Sequence, residues 1–208
     1  MLLLCHAVLF DCDGVLVDSG PSVTSAWDRW ARALELDPEA VNMVAHGRRS
    51  EETVALLVPE PRRTAELARI DRYELEDAGG IRALDGAGAL VSSIPGQGWA
   101  VVTSGRGELA RARLRAAGLP CPDVIVTADD VQRGKPDPEG YRLAAERLGV
   151  VAERTVVLED AAVGIAAARA AGAGAVVGVG RRAEGAGADV VVPDLRSLRW
   201  TGDGLEIL

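Results

Sequence analysis

Residues 2–14 read LLLCHAVLFDCDG, a largely apolar run that ends abruptly at two aspartates, Asp11 and Asp13. A continuous apolar run without polar alternation is typical of a strand that is covered on both faces of a parallel sheet. Gly14 follows the acidic pair and lets the chain turn away from the strand. The stretch therefore predicts a buried strand whose carboxyl end presents two acidic side chains.

The same arrangement recurs along most of the chain. Five further apolar runs, each ended by a polar residue, a glycine or a proline, lie at residues 99–102, 124–126, 155–158, 175–179 and 190–192. Three helical patterns, each followed by a glycine that can form a left-handed cap, lie at residues 109–117, 141–148 and 163–171. The alternation predicts a doubly wound α/β core on a parallel sheet, in which ligands bind at the carboxyl ends of the strands.

Residues 19–82 interrupt this alternation, because they contain no strand-like run. Apolar side chains keep helical spacing over residues 23–34, and further helical stretches follow at 51–57 and 64–76. We expect a small all-helical insertion after the first strand, above the carboxyl edge of the sheet. The predicted organisation is a core of residues 1–18 and 83–208 with a helical cap of residues 19–82.

Composition limits the classes of function. The 208 residues include 23 basic and 31 acidic side chains, a net charge of -8, and 48% of them are hydrophobic, which excludes a disordered chain. An acidic balance argues against nucleic acid or an anionic membrane as partner. No apolar stretch approaches the ~18 residues of a membrane span, and the start lacks the basic region of a secretion signal. We expect a cytoplasmic protein with a small-molecule partner and no evident protein partner.

A second acidic pair and an isolated lysine add to the first pair. Glu159 and Asp160 follow another predicted strand, and Lys135 is the only lysine in the chain. Carboxylates this close repel one another unless a cation lies between them or one stays protonated. Ordinary capping acids would explain one such pair, but two pairs at separate strand ends favour a cation. Mg²⁺ prefers oxygen ligands and leaves part of its shell for phosphate, so a Mg²⁺ site is predicted.

Charge indicates the reaction. A carboxylate that approaches a phosphoryl dianion to ~3.5 Å meets roughly 5 kcal/mol of repulsion per unit charge at an effective dielectric of ~20. A cation and the Lys135 ammonium would offset it. Asp11 can then attack in line to form an aspartyl phosphate, while Asp13 protonates the leaving alkoxide and later activates water. The phosphoryl oxygens are expected to contact the residues that follow the next strand, Thr103, Ser104 and Gly105.

Four short segments occur in a fixed order along the chain. They are DCDGVLVDS at residues 11–19, VVTSG at 101–105, GKPDP at 134–138 and VLED at 157–160. They resemble the four ordered motifs of the haloacid dehalogenase-like phosphohydrolase superfamily, and the resemblance extends over essentially the whole chain. It implies that the insertion is the small helical cap of that superfamily, which closes over the substrate.

The resemblance also implies a role for each motif residue. Asp11 would be the nucleophile and Asp13 the general acid and base. Thr103 and Lys135 would bind phosphate. The implied Mg²⁺ ligands are the acids of the first and last motifs, namely Asp11, Asp13 through its main-chain carbonyl, Glu159 and Asp160.

Differences between this chain and other members of the superfamily reduce the number of reactions that fit the sequence. Dehalogenases lack the second aspartate, Asp13. Phosphonatases and β-phosphoglucomutases carry a cap lysine that this chain does not have, and the mutase has a histidine where this chain has Val23. Segments 46–49, 99–105 and 126–135 resemble the branch of glycerol-1-phosphatases, 2-deoxyglucose-6-phosphatases and bacterial sugar phosphatases. That likeness implies that His46 and Arg49 bind the substrate.

The predicted function is a Mg²⁺-dependent phosphatase of small phosphorylated sugars or polyols. Two alternatives stay open: a sugar-phosphate mutase, and a non-catalytic phosphoacceptor module that resembles a response-regulator receiver. In the receiver the acidic pair precedes the phosphorylated aspartate and no helical insertion occurs, whereas here the second pair follows Lys135.

Overall fold

The computed structural model describes residues 1–45 and 47–208. The described residues form eleven β-strands and eight α-helices. The strands are β1 (Leu2–Leu4), β2 (Ala7–Phe10), β3 (Val17–Asp18), β4 (Arg82–Ala83), β5 (Trp99–Val102), β6 (Val124–Val126), β7 (Thr155–Glu159), β8 (Ala175–Val179), β9 (Val190–Val192), β10 (Leu198–Trp200) and β11 (Gly204–Ile207). The helices are α1 (Gly20–Ala33), α2 (Pro38–Ala45), α3 (Ser50–Leu57), α4 (Glu60–Asp77), α5 (Ala87–Ser93), α6 (Gly107–Ala116), α7 (Glu139–Arg147) and α8 (Ala162–Ala171).

A six-stranded parallel sheet forms the centre of the molecule, with strand order β6-β5-β2-β7-β8-β9. Side chains of β2 alternate between its two faces. Val8 and Phe10 belong to the hydrophobic cluster that includes α5 and α6, and Leu9 belongs to the cluster that includes α7 and α8. Both faces of the sheet are therefore covered by helices. This confirms the predicted doubly wound α/β core.

The first apolar run of the sequence divides into two strands rather than one. Leu3 pairs with Leu205, so β1 joins β10 and β11 in a small antiparallel sheet. His6 ends this pairing, and its main-chain N–H donates to the Arg154 carbonyl at 2.7 Å. Only residues 7–10 enter the parallel sheet, where all four are buried, whereas Leu2 and Leu4 are exposed.

Helices α1–α4 form a helical insertion between β3 and β4, and these two short strands pair antiparallel where the insertion leaves the core. The insertion has its own hydrophobic cluster around Trp30, which packs edge-on against Trp27 at 5.2 Å between ring centroids. Helix α2 was not among the predicted stretches. Among the described residues, no helix is long and apolar enough to cross a membrane. The division at residues 18/19 and 82/83 stays a prediction.

The parallel sheet brings the predicted motif residues to one edge. Asp11 directly follows β2, Thr103 follows β5, and Glu159 is the last residue of β7. Because β2 lies between β5 and β7, Asp11 occupies the middle of this edge. The insertion lies above it: the Ser104 hydroxyl donates to the Gly47 carbonyl at 3.0 Å.

Trp30 should be essential for the stability of the helical insertion. It is fully buried, and its indole N–H donates to the Glu66 carbonyl at 3.1 Å. We expect Trp30→Ala to lower the free energy of unfolding by about 3–5 kcal/mol, measured by urea denaturation. Met43→Ala, at a side chain that is 78% exposed on α2, should change it by less than about 0.5 kcal/mol. Equal effects of the two variants would contradict an independently packed insertion.

Candidate active site

A cavity of about 420 Å³ lies between the carboxyl edge of the sheet and the helical insertion. The core contributes every motif residue that the sequence singled out, namely Asp11, Asp13, Thr103, Ser104, Gly105, Lys135, Glu159 and Asp160. The insertion contributes the opposite wall, which includes Val23, Trp27, Arg48, Ser50 and Glu74. This size is typical of a pocket for one small ligand.

The Lys135 ammonium lies at the centre of the acidic side chains. Its Nζ donates to Asp11 Oδ1 at 2.6 Å, to Glu159 Oε1 at 2.6 Å and to the Val102 carbonyl at 3.1 Å. These three bonds use all of its donors. Burial alone would lower the pKa of Lys135, but the carboxylates of Asp11 and Glu159 raise it well above its usual value. Lys135 therefore carries a positive charge at the buried end of the cavity.

Glu159 is fully engaged by protein donors. Its Oε1 also accepts from the Tyr141 hydroxyl at 2.7 Å, and its Oε2 accepts from the main-chain N–H groups of Asp160 at 3.0 Å and Ala161 at 3.2 Å. Helix α8 passes so close that a Cβ on Gly164 would lie 1.7 Å from Oε1. The carboxylate is thus held in one position, from which it faces Lys135.

Three buried acids provide a donor set for a metal ion. Carboxylate oxygens of Asp11, Glu159 and Asp160 all lie within 4.8 Å of one another. Burial, and then the neighbouring carboxylates, raise the pKa of Asp11 well above its usual value although Lys135 lowers it. Burial likewise raises the pKa of Asp160 to about 6, although Arg182 lowers it. An all-oxygen set of three carboxylates, whose repulsion Lys135 and Arg182 offset only in part, fits a hard divalent cation.

Space and unused acceptors support the same fit. Among residues 1–45 and 47–208, no hydrogen bond is made to Asp11 Oδ2 or Asp160 Oδ1. Gly14 has a φ of 85°, which favours glycine, and a Cβ at this position would lie 2.1 Å from Asp160 Oδ2. The turn after the first acidic pair therefore leaves room for Asp160 beside Asp11.

Asp13 faces the other side of the cavity. Arg113 Nη1 donates to both of its carboxylate oxygens at 2.9 Å, and the Thr103 hydroxyl approaches Oδ2 at 3.5 Å. The Gly105 N–H donates to the Thr103 hydroxyl oxygen at 3.0 Å. The loop after β5 is thus fixed next to Asp13.

The two substrate residues predicted in the insertion have different outcomes. Arg49 does not line the cavity with Asp11. Its guanidinium donates to the carbonyls of Val131 at 3.1 Å and Gln132 at 3.0 Å, and to Glu52 at 2.8 Å, so it connects the insertion to the core. His46 lies outside the described residues. The insertion arginine that lines the cavity is Arg48.

Comparison with known proteins identifies the family. A family model described as haloacid dehalogenase-like hydrolase matches residues 5–172, most of the chain. The chain belongs to this family. That membership confirms the resemblance seen in the sequence and the prediction that the protein is an enzyme of the hydrolase class.

Two relatives of this hydrolase have names that describe phosphatases of small phosphate esters. It is 44% identical to hexitol phosphatase A of Escherichia coli K12 over 173 aligned residues. The aligned region covers 81% of this chain and 80% of that protein. The hydrolase is 29% identical to glycerol-1-phosphate phosphohydrolase 2 of Saccharomyces cerevisiae, over 97% of this chain and 87% of that protein. The crystal structure of β-phosphoglucomutase from Clostridium difficile superposes with a TM-score of 0.84, at 22% identity, over 95% of this chain and 94% of that one. This last likeness shows the fold.

Several residues in and around the cavity of this hydrolase were not predicted from the sequence. Arg113 and Glu74 form a buried ion pair, Tyr141 donates to Glu159, and Arg182 pairs with Asp160. The sequence did contain a signal for Arg113 and Glu74, namely their spacing along the helices. Arg113 falls on the apolar face of α6, four residues after Leu109, and Glu74 falls four residues after Ile70 on the buried face of α4. A charged residue on an apolar face indicates a buried partner.

Gly164→Ala should disturb the acidic centre without weakening its helix. Alanine in a helix is more favourable than glycine, so a loss can come only from the collision with Glu159. We expect the displaced carboxylate to release Lys135 and to reduce kcat/KM by roughly 10- to 100-fold, as for other residues that position a metal or phosphate site. The measurement is phosphate release from a sugar phosphate.

Gly79→Ala is the matched control, because nothing lies within 4 Å of a Cβ at that position. It should retain the rate of the unmodified protein. Full activity of Gly164→Ala would show that the position of Glu159 is not needed.

Proposed function

We propose that this hydrolase is a Mg²⁺-dependent phosphatase of small phosphorylated sugars or polyols, which acts through an aspartyl phosphate on Asp11. The observation that carries the proposal is the position of Lys135, 2.6 Å from Asp11 within the cavity that the motif residues line. A fixed positive charge beside a nucleophilic carboxylate is what a phosphoryl dianion requires. The names of the relatives, a hexitol phosphatase and a glycerol-1-phosphate phosphohydrolase, support the substrate class.

The phosphate group would bind at the core side of the cavity. Lys135 supplies the charge, the Thr103 hydroxyl a hydrogen bond, and Ser104 a main-chain N–H group, while the Gly105 N–H fixes the Thr103 hydroxyl. The carbon chain of the substrate would extend toward the insertion, where Trp27 and Arg48 line the wall. We propose that residues 19–82 act as a cap, because the hydrogen bond from Ser104 to Gly47 connects the loop after β5 directly to the insertion.

Metal ligation follows from the acidic centre. Asp11, Asp160 and the main-chain carbonyl of Asp13 would hold Mg²⁺, whose charge would offset that of the phosphoryl group when it is bound. Glu159 belongs to the same acidic set, but both of its oxygens accept from protein donors. We therefore propose that Glu159 contributes chiefly by holding Lys135.

The residues supply two balanced steps. In the first, an Asp11 oxygen bonds to phosphorus as the phosphorus–oxygen bond to the substrate breaks, and the leaving alkoxide takes a proton from Asp13. In the second, Asp13 accepts a proton from water as that water attacks phosphorus and releases phosphate from Asp11. Both acids then return to their starting protonation states.

A phosphate-release screen tests this function. With Mg²⁺, we expect many equivalents of inorganic phosphate per protein from hexitol, glycerol or deoxyglucose phosphates, and a large loss of the rate after chelation with EDTA. Stoichiometric phosphate uptake without turnover would instead indicate a phosphoacceptor module. Conversion of β-glucose 1-phosphate to glucose 6-phosphate, dependent on a bisphosphate primer, would indicate a mutase.

Asp11→Asn tests the covalent route. An amide cannot replace the carboxylate as nucleophile, so turnover should fall by several orders of magnitude while the circular dichroism spectrum stays unchanged. Substrate labelled with ³²P should leave label on the unmodified protein after acid quenching and none on the variant. Asp123→Asn, at an exposed aspartate, is the control and should remain active. Appreciable turnover by Asp11→Asn would refute an aspartyl phosphate at this residue.

A further inference from the structure

Arg113 is a buried arginine for which the proposed reaction has no role. It lies on α6, and its side chain is only 3% exposed. We propose that Arg113 is a positioning residue that orients Asp13 toward the leaving group, and that Glu74 of the insertion holds Arg113 in place when the insertion is docked. This inference rests on the proposed function, in which Asp13 is the general acid.

The hydrogen bonds form one continuous chain between the core and the insertion. Arg113 Nη1 donates to both oxygens of Asp13 at 2.9 Å, and Nη2 donates to Glu74 Oε1 at 3.2 Å. The other oxygen of Glu74 accepts from the Ser50 hydroxyl at 3.1 Å. The carboxylate at the end of β2 is thus connected through α6 to helices α4 and α3.

The geometry at Asp13 suits a side chain that must keep one direction. A single guanidinium nitrogen contacts both carboxylate oxygens, so Arg113 fixes the plane and the direction of the carboxylate from one side. The Asp13 side chain is 27% exposed and lines the cavity, so it can reach a ligand there. Arg113 therefore fixes the direction of Asp13 without blocking it.

The buried ion pair between Arg113 and Glu74 links the orientation of Asp13 to the docking of the insertion. The Glu74 side chain is only 8% exposed, and burial raises its pKa although Arg113 lowers it. Among the described residues, Arg113 Nε is buried without a hydrogen-bond partner, so the guanidinium is held only through its two terminal nitrogens. Removing one partner of a buried ion pair leaves an uncompensated charge, which strongly disfavours the packed state. The same contact thus favours docking of the insertion and orientation of Asp13.

The choice of substrates separates positioning from a merely structural role. An alkoxide leaving group needs a proton from Asp13, whereas p-nitrophenolate leaves without one. We expect Arg113→Met to reduce kcat/KM for glucitol 6-phosphate by roughly 100-fold, within the range of a general acid, but for p-nitrophenyl phosphate by less than about 10-fold. Arg111→Met, at an exposed arginine of the same helix, is the control and should change neither.

Variants of Glu74 test the connection to the insertion. Glu74→Gln keeps an acceptor for Arg113, so it should mainly raise KM and leave kcat within a few-fold. In Arg113→Met, Glu74 is left buried without a charged partner, which should raise KM further. Adding Glu74→Gln to Arg113→Met removes that charge, so the double variant should recover KM while its kcat for glucitol 6-phosphate stays low.

Equal losses for the two substrates, or recovery of kcat in the double variant, would overturn the proposal and leave Arg113 a structural ion pair. If Arg113→Met does not fold by circular dichroism, Arg113→Lys carries the test. It keeps the buried charge but lacks the planar fork whose two nitrogens contact Asp13 and Glu74 separately, so it should show the same dependence on the leaving group. Failure of the unmodified protein to release phosphate from either substrate would instead refute the proposed phosphatase function.

Discussion

The Lys135 ammonium, 2.6 Å from both Asp11 and Glu159, is the interaction on which the site depends. It is buried at the edge of the sheet where β2, β5 and β7 end, and it keeps two carboxylates close together away from water. Without it, the two acids would repel each other in a medium that screens charge poorly. The central strands can therefore end in acids because a loop from elsewhere in the chain supplies the compensating charge.

Charge balance also explains how the helical insertion and the core fit together. Arg113 and Arg49 are both buried at this boundary, and both have partners on the opposite side of it. The first connects two acids, whereas the second connects to main-chain carbonyls. Guanidinium groups suit this boundary because their planar donors can contact several acceptors at once. The cavity is thus closed by polar contacts around an interior that Trp27 and Val23 keep partly apolar.

Much of this arrangement could be predicted from the sequence, because it depends on local pattern. The parallel sheet follows from apolar runs, and the meeting of Asp11, Thr103 and Asp160 in one cavity follows from their places after those runs. Lys135 lies on a loop nine residues beyond such a run, so its place was predicted from the motif resemblance instead. Contacts between distant elements could not be predicted in the same way. Leu3 pairs with Leu205, so β1 leaves the parallel sheet for a partner near the other end of the chain. The sequence also showed that Arg49 belongs to the insertion, but it did not show where its side chain points. In the structure the Arg49 guanidinium donates to main-chain carbonyls of the core.

The single lysine of the sequence has a practical consequence because of where it lies. Because every other basic side chain is an arginine or a histidine, Lys135 is the only side-chain amine in the molecule. It is shielded at the base of the cavity and carries a proton, so reagents that acylate or methylate amines have a single side-chain target, which the intact site protects. The rate at which this one side-chain amine is modified therefore measures how often the cavity opens, separately from motion elsewhere in the chain.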